Sequence, residues 1–101
     1  MAHHTLTLNY GPEGFRPDTD VLPVNTGDTI SFQLGKAPPK STFLITMDPK
    51  FFSAKEVRDS STRVKVREAA ITTYSCQLFD EAGELLSAKG QPGGGTRPVN
   101  P

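Results

Sequence analysis

Residues 71–88 read ITTYSCQLFDEAGELLSA. Tyr74, Cys76 and Leu78 alternate with Ser75, Gln77 and Phe79, the period-2 pattern of a strand with one buried face. Asp80-Glu81-Ala82-Gly83 then reads as a tight hairpin turn. Asp accepts hydrogen bonds from nearby backbone at the first turn position, and Gly83 reaches the left-handed conformation that closes such turns. Residues 84–88 return as the second, antiparallel strand of the hairpin.

Similar alternation recurs along the chain. His4–Tyr10 places Leu6, Leu8 and Tyr10 on one face; Thr29–Leu34 places Ile30, Phe32 and Leu34; Ser41–Met47 places Phe43, Ile45 and Met47; Thr62–Arg67 places Val64 and Val66. Val21–Val24 is a candidate edge strand, because Pro23 has no N–H for a ladder. Turns are expected at 11–14 and 25–28, a loop over Phe15–Asp20, a Pro-rich loop over Gly35–Lys40, and irregular chain over Lys55–Ser61. Asp48-Pro49 starts a helical turn, with Phe51 and Phe52 pinning it to the core.

With nine glycines and nine prolines among 101 residues, and no dozen-residue helical period, the pattern predicts an all-β fold. The expected architecture is an antiparallel two-sheet Greek-key sandwich of about seven strands, formed by residues 1–89 as one domain. Residues 90–101, GQPGGGTRPVNP, lack apolar period and read as a flexible Gly/Pro-rich tail.

Eleven basic and eleven acidic side chains cancel, so no net field steers the chain towards nucleic acid or an anionic membrane. One cysteine excludes an internal disulfide and a cysteine-based zinc cluster. The amino terminus has no basic segment followed by an apolar run, which taken literally predicts a cytoplasmic protein, and no stretch has membrane-spanning length.

Two segments carry a family resemblance. Residues 24–34, VNTGDTISFQL, resemble the cupredoxin entry to a core strand, and residues 72–86, TTYSCQLFDEAGELL, resemble the segment bearing the copper cysteine. Ser41–Met47 fits the strand whose start bears the first copper histidine. The resemblance implies a cupredoxin-like sandwich without its metal. Ser41 or Thr42 stands where the family has that histidine, and Gln77–Ala82 supplies neither the second histidine nor the methionine; only Cys76 remains. A blue-copper site needs two imidazoles and a thiolate. Tyr74-Ser75-Cys76 also resembles the Tyr-x-Cys of immunoglobulin-like domains, whose partner cysteine and core tryptophan are missing here.

Each candidate for chemistry has a plainer counterpart. Cys76 shares the apolar face of its strand, so burial is expected to make its thiol inert. His3 and His4 are the only histidines. Near a free amine they offer a square-planar Cu(II) or Ni(II) site, and an alternative metal-handling function would use them, or a rearranged site of Cys76 with Met47. Glu13, Asp18 and Asp20 form an acidic loop without the Gly and distal Glu of a calcium loop. Asp80, Glu81 and Glu84 read as turn-forming carboxylates.

The charge distribution is more informative. Lys50, Lys55, Arg58, Arg63, Lys65 and Arg67 lie within residues 50–67 against Glu56 and Asp59. Arg63, Lys65 and Arg67 share one strand face, which suits an acidic partner surface; the plainer account is a solvated face that discourages edge pairing. No aromatics interleave with this stripe, which disfavours nucleic acid. These features predict a non-catalytic binding or scaffolding module with a protein partner, no cofactor and contacts through Arg63, Lys65 and Arg67. Oligomeric state is not legible in the residues.

Overall fold

A computed structural model describes residues 1–87 and 92–99. Its elements are all strands: β1 (His3–Gly11), β2 (Gly14–Pro17), β3 (Val21–Val24), β4 (Thr29–Leu34), β5 (Thr42–Thr46), β6 (Glu56–Val57), β7 (Val64–Lys65), β8 (Thr72–Phe79) and β9 (Pro92–Pro98). They form two sheets. Sheet I has the order β2-β1-β4-β7, and sheet II the order β3-β9-β8-β5-β6.

The period-2 faces meet between the sheets. Leu6, Leu8, Phe15, Ile30, Phe32 and Val64 from sheet I pack with Leu22, Val24, Phe43, Ile45, Val57, Tyr74, Cys76 and Leu78 from sheet II in one core. Across the gap the rings of Phe32 and Tyr74 stand edge-to-face at 5.5 Å and 69°, the arrangement that the ring quadrupole favours. The molecule is therefore a β-sandwich, its strands other than β9 bearing hydrophobic side chains on the inner side.

Both sheets are mixed, which corrects the antiparallel expectation. β1 runs parallel to β4, His3 opposite Thr29 through Leu8 opposite Leu34, and β3 runs parallel to β9. Parallel neighbours need a crossover connection. Here β2 and β3 supply it by passing from sheet I to sheet II, so no helix is required. The missing helices were no evidence against parallel pairing.

The largest departure lies at the carboxyl end. Pro92–Pro98, expected in a flexible tail, forms β9 inside sheet II, between β3 and β8; residues 90, 91, 100 and 101 of that tail lie outside the described residues. Composition misled because the glycines serve close packing. Gly94 lies opposite Tyr74, and a Cβ there would meet Tyr74 Oη at 2.6 Å and Pro17 Cγ at 2.8 Å. A Cβ on Gly93 would run into the Cys76 thiol. Between Tyr74 and Ser75 the register slips from Gly94 to Pro92, so Gly93 is the extra residue of a β-bulge facing Cys76.

Smaller differences follow from pairing partners distant in sequence. Part of the expected loop over Phe15–Asp20 is β2, paired with β1, and β6 lies in the segment expected to be irregular. The hairpin after β8 closes as expected, with Gly83 at φ 85° and the Asp80 carboxylate accepting from Ala82 N–H and Glu84 N–H at 2.9 Å. Its return strand is reduced to a bridge between Phe79 and Leu85, and Ala88 lies outside the described residues. At Asp48, Phe51 N–H and Phe52 N–H both donate to the Asp48 carbonyl at 3.1 Å. That turn buries Phe52.

A chain ended after Lys89 is expected to lose cooperative urea unfolding, since β3 and β8 would lose their common neighbour; an unchanged midpoint would show that β9 is dispensable. Gly94→Val should cost about 2–3 kcal/mol in the same measurement by overpacking against Tyr74 and Pro17.

Candidate functional site

The basic stripe is built on a strand whose two edges are both occupied. Val64 and Val66 are buried, so Arg63, Lys65 and Arg67 between and beside them are exposed together. On one side β7 pairs with β4, and Gly27 N–H donates to the Val66 carbonyl at 2.8 Å. On the other side Ser53 N–H donates to the Lys65 carbonyl at 3.0 Å and Arg67 N–H to the Phe51 carbonyl at 2.7 Å. Lys65 N–H donates to Ser53 Oγ at 2.8 Å. Residues 51–53 thus cover the outer edge of β7, and no open edge remains there for the charges to protect.

Two nearby acids, Glu56 and Asp59, are engaged elsewhere, while Glu68 beside Arg67 is exposed. Glu56 lies 3.8 Å from Arg58. One Asp59 oxygen accepts from the Ser61 and Thr62 hydroxyls at 2.7 and 2.9 Å and from both their N–H groups at 3.0 Å. Those bonds, the hydroxyls foremost, hold the Asp59 carboxyl below its ordinary range. Arg63, Lys65 and Arg67 have no ion-pair partner among the described residues. Arg67 Nη1 donates to the Pro49 carbonyl at 3.4 Å, and Lys50 Nζ sits 5.4 Å above the Phe51 ring, so both cations lie along the Asp48 turn. Thr26, Gly27, Ser53, Lys65, Val66 and Arg67 line an open groove of about 540 Å³.

The metal candidates are dispersed. Cys76 is buried on β8, and burial pushes its thiol up to about 12. His3 and His4 lie at the start of β1 in the other sheet, and their rings are engaged. His3 Nδ1 is 2.6 Å from Thr29 Oγ1 and Nε2 is 3.1 Å from Ser31 Oγ. No group of three or more His, Cys, Asp or Glu side chains is placed to hold a metal ion among the described residues. A square-planar amino-terminal site on His3 would also need the Ala2 amide nitrogen, which here donates to Asp28 Oδ1 at 2.9 Å. In the acidic loop, Asp18 accepts from Thr7 N–H at 3.3 Å, whereas Glu13 and Asp20 are exposed.

Asp28 is the buried charge that sequence reasoning took only for a turn residue. It is 1% exposed. Its carboxylate accepts from Ala2 N–H at 2.9 Å, from Asn25 N–H at 3.0 Å and from His4 Nε2 at 2.9 Å. Because an ionised carboxylate only accepts, Nε2 carries the His4 proton. The two backbone donors, followed by His4, hold the Asp28 carboxyl down at about 2 against the cost of burial. Val66 N–H donates to the Asp28 carbonyl at 2.8 Å, so this residue ties β1, β4 and the chain after β7 together beneath the basic face. A carboxylate one residue after Gly27 in a turn was a visible signal; its partners Ala2 and His4, more than twenty residues away, were not.

Among the described residues no helix is long and apolar enough to cross a membrane. Compared with known proteins, the chain matches no family model, no curated protein and no solved structure.

Asp28 also sets an acid limit. Its folded-state pKa lies below the ordinary 3.8, so its contribution to stability is complete above that value and disappears as pH falls towards about 2. Asp28→Asn is expected to destabilise the protein by about 1–3 kcal/mol at neutral pH. The gap to the parent protein should close over that acid window in urea unfolding followed by circular dichroism.

Proposed function

We propose that this protein is a non-catalytic binding module, a Greek-key sandwich of cupredoxin-like type without copper, which docks an acidic protein surface against the β7 face. One observation carries the binding proposal: Arg63, Lys65 and Arg67, on and beside the two-residue β7 to which the expected Thr62–Arg67 strand is reduced, are exposed with no counter-ion among the described residues. Long cations left unpaired beside engaged carboxylates favour an outside anion. Such a field acts chiefly on encounter rate and partner choice.

The edge contacts favour this account over one in which the stripe serves only to block aggregation. Bonds to β4 and to residues 51–53 already saturate the strand. The groove beside Lys65 and Arg67 gives an acidic side chain a place between the two charges.

Support for the cupredoxin-like reading comes from adjacency. β8, which bears Cys76, pairs directly with β5, placing Cys76 opposite Ile45 and Phe79 opposite Thr42. The resemblance expects the first histidine at Ser41 or Thr42 and the copper cysteine at Cys76, two ligands of one site. The two segments are neighbours, but these positions hold hydroxyl side chains and Cys76 is withdrawn into the core.

Binding to an immobilised glutamate-rich peptide tests the docking face. R63E/K65E/R67E is expected to weaken binding at least tenfold, and the remaining affinity should lose most of its salt dependence. Equal binding by parent and triple variant would remove the face from consideration. A duplex DNA of equal charge, run in parallel, should bind more weakly; tighter DNA binding would replace the protein partner with nucleic acid.

A further inference from the structure

A second surface lies over β9, where β2 of sheet I comes close to sheet II. There Gly93, Gly94 and Gly95 floor a trough of about 280 Å³. No side chain rises from three successive residues of an interior strand, so the sheet is locally thin. A Cβ on Gly95 would meet the Thr72 carbonyl oxygen at 2.6 Å, while Gly94 is held bare by Tyr74 and Pro17 beneath it. Val21 and Ile71 stand at the trough. At 51% and 86% exposure they are, after Met1, the most exposed large apolar side chains among the described residues.

The same rim carries one charge of each sign. Arg16 and Asp20 both line the trough, both are exposed, and neither has an ion-pair partner among the described residues. An unpaired cation and anion flanking one hollow are self-complementary. In a two-fold contact over the trough, Arg16 of each copy would face Asp20 of the other, and Ile71 of each copy would meet the other's glycines. That is the reciprocal contact an isologous interface requires. The chain's formal net charge of zero offers no long-range repulsion to oppose it.

We infer that this trough is the docking surface for a second copy of the chain, with Ile71 as knob, Gly93–Gly95 as socket and Arg16–Asp20 pairs at the rim. The patch is small, so the dimer is a transient one, with a dissociation constant on the order of 100 μM. The surface is separate from the β7 face, and dimerisation would present two such faces to one partner.

Sedimentation equilibrium of the full chain, from about 10 μM to about 1 mM, tests this. The parent should show a reversible monomer–dimer equilibrium. Ile71→Arg, at a position too exposed to disturb folding, should weaken it at least tenfold, as should Arg16→Glu. The double variant R16E/D20R, which restores opposite signs across the axis, should recover most of the loss. Circular dichroism of each variant confirms the fold. A parent monomeric throughout, or a dimer indifferent to Ile71→Arg, overturns the inference. A double variant no better than Arg16→Glu alone overturns the reciprocal pairing.

Discussion

The close approach of β9 to β8 is the constraint on which the sandwich depends. Tyr74 and Cys76 occupy space that any side chain at Gly94 and Gly93 would claim. This lets an aromatic ring lie in the core while its strand keeps a neighbour on that side. Without β9, β3 would have no partner in sheet II, and the inner face of β8 would lose its cover beside Leu22 and Val24. The same crowding removes water from the Cys76 thiol, and burial raises both it and the Tyr74 hydroxyl above their ordinary ranges. Among the described residues the Tyr74 hydroxyl is the one buried side-chain polar atom without a hydrogen-bond partner. Burial of this kind costs free energy, and the cross-sheet contact with Phe32 partly offsets it.

Sheet I is secured differently, by a buried charge. Asp28 gathers donors from Ala2, Asn25 and His4 at the start of the parallel β1/β4 pair, where a new strand would otherwise leave backbone groups unpaired. The first residues of the chain therefore belong to the sheet. Their histidines are spent on hydrogen bonds to Asp28, Thr29 and Ser31. The sandwich is thus held near one end by electrostatics and across its second sheet by shape.

These two devices leave two separate surfaces. β4, Asp28 and the 51–53 segment bond β7 and the residues after it from either side, so the backbone that carries Lys65 and Arg67 is held on both edges. Glycine on β9, required by Tyr74 and Cys76 beside it, also lines the trough that Arg16 and Asp20 border. In both places a packing requirement inside the molecule shapes what the outside presents. The basic face is the surface proposed for an acidic protein, and the hollow is the one proposed for a second copy.

Alternation in residues 4–10, 29–34, 41–47 and 72–79 determined by itself that the protein is all-β and most of the side chains those segments send into the core, because strand periodicity is a local property of the chain; Phe15 and Val57, in segments expected to be loop or irregular, entered it unannounced. The Asp80–Gly83 turn, the burial of Cys76 and the outward face of Arg63, Lys65 and Arg67 were legible for the same reason. Strand partners were not. Parallel pairing of β1 with β4 and of β3 with β9 joins segments far apart in sequence, and nothing within either segment states its neighbour. The composition of Gly93-Gly94-Gly95 is shared by a flexible linker and by a strand that must admit large side chains from next door. Only the tertiary structure, by placing Tyr74 and Cys76 against those glycines, decided between them. It likewise decided that Asp28 is a buried anchor, since its donors Ala2 and His4 arrive from another strand.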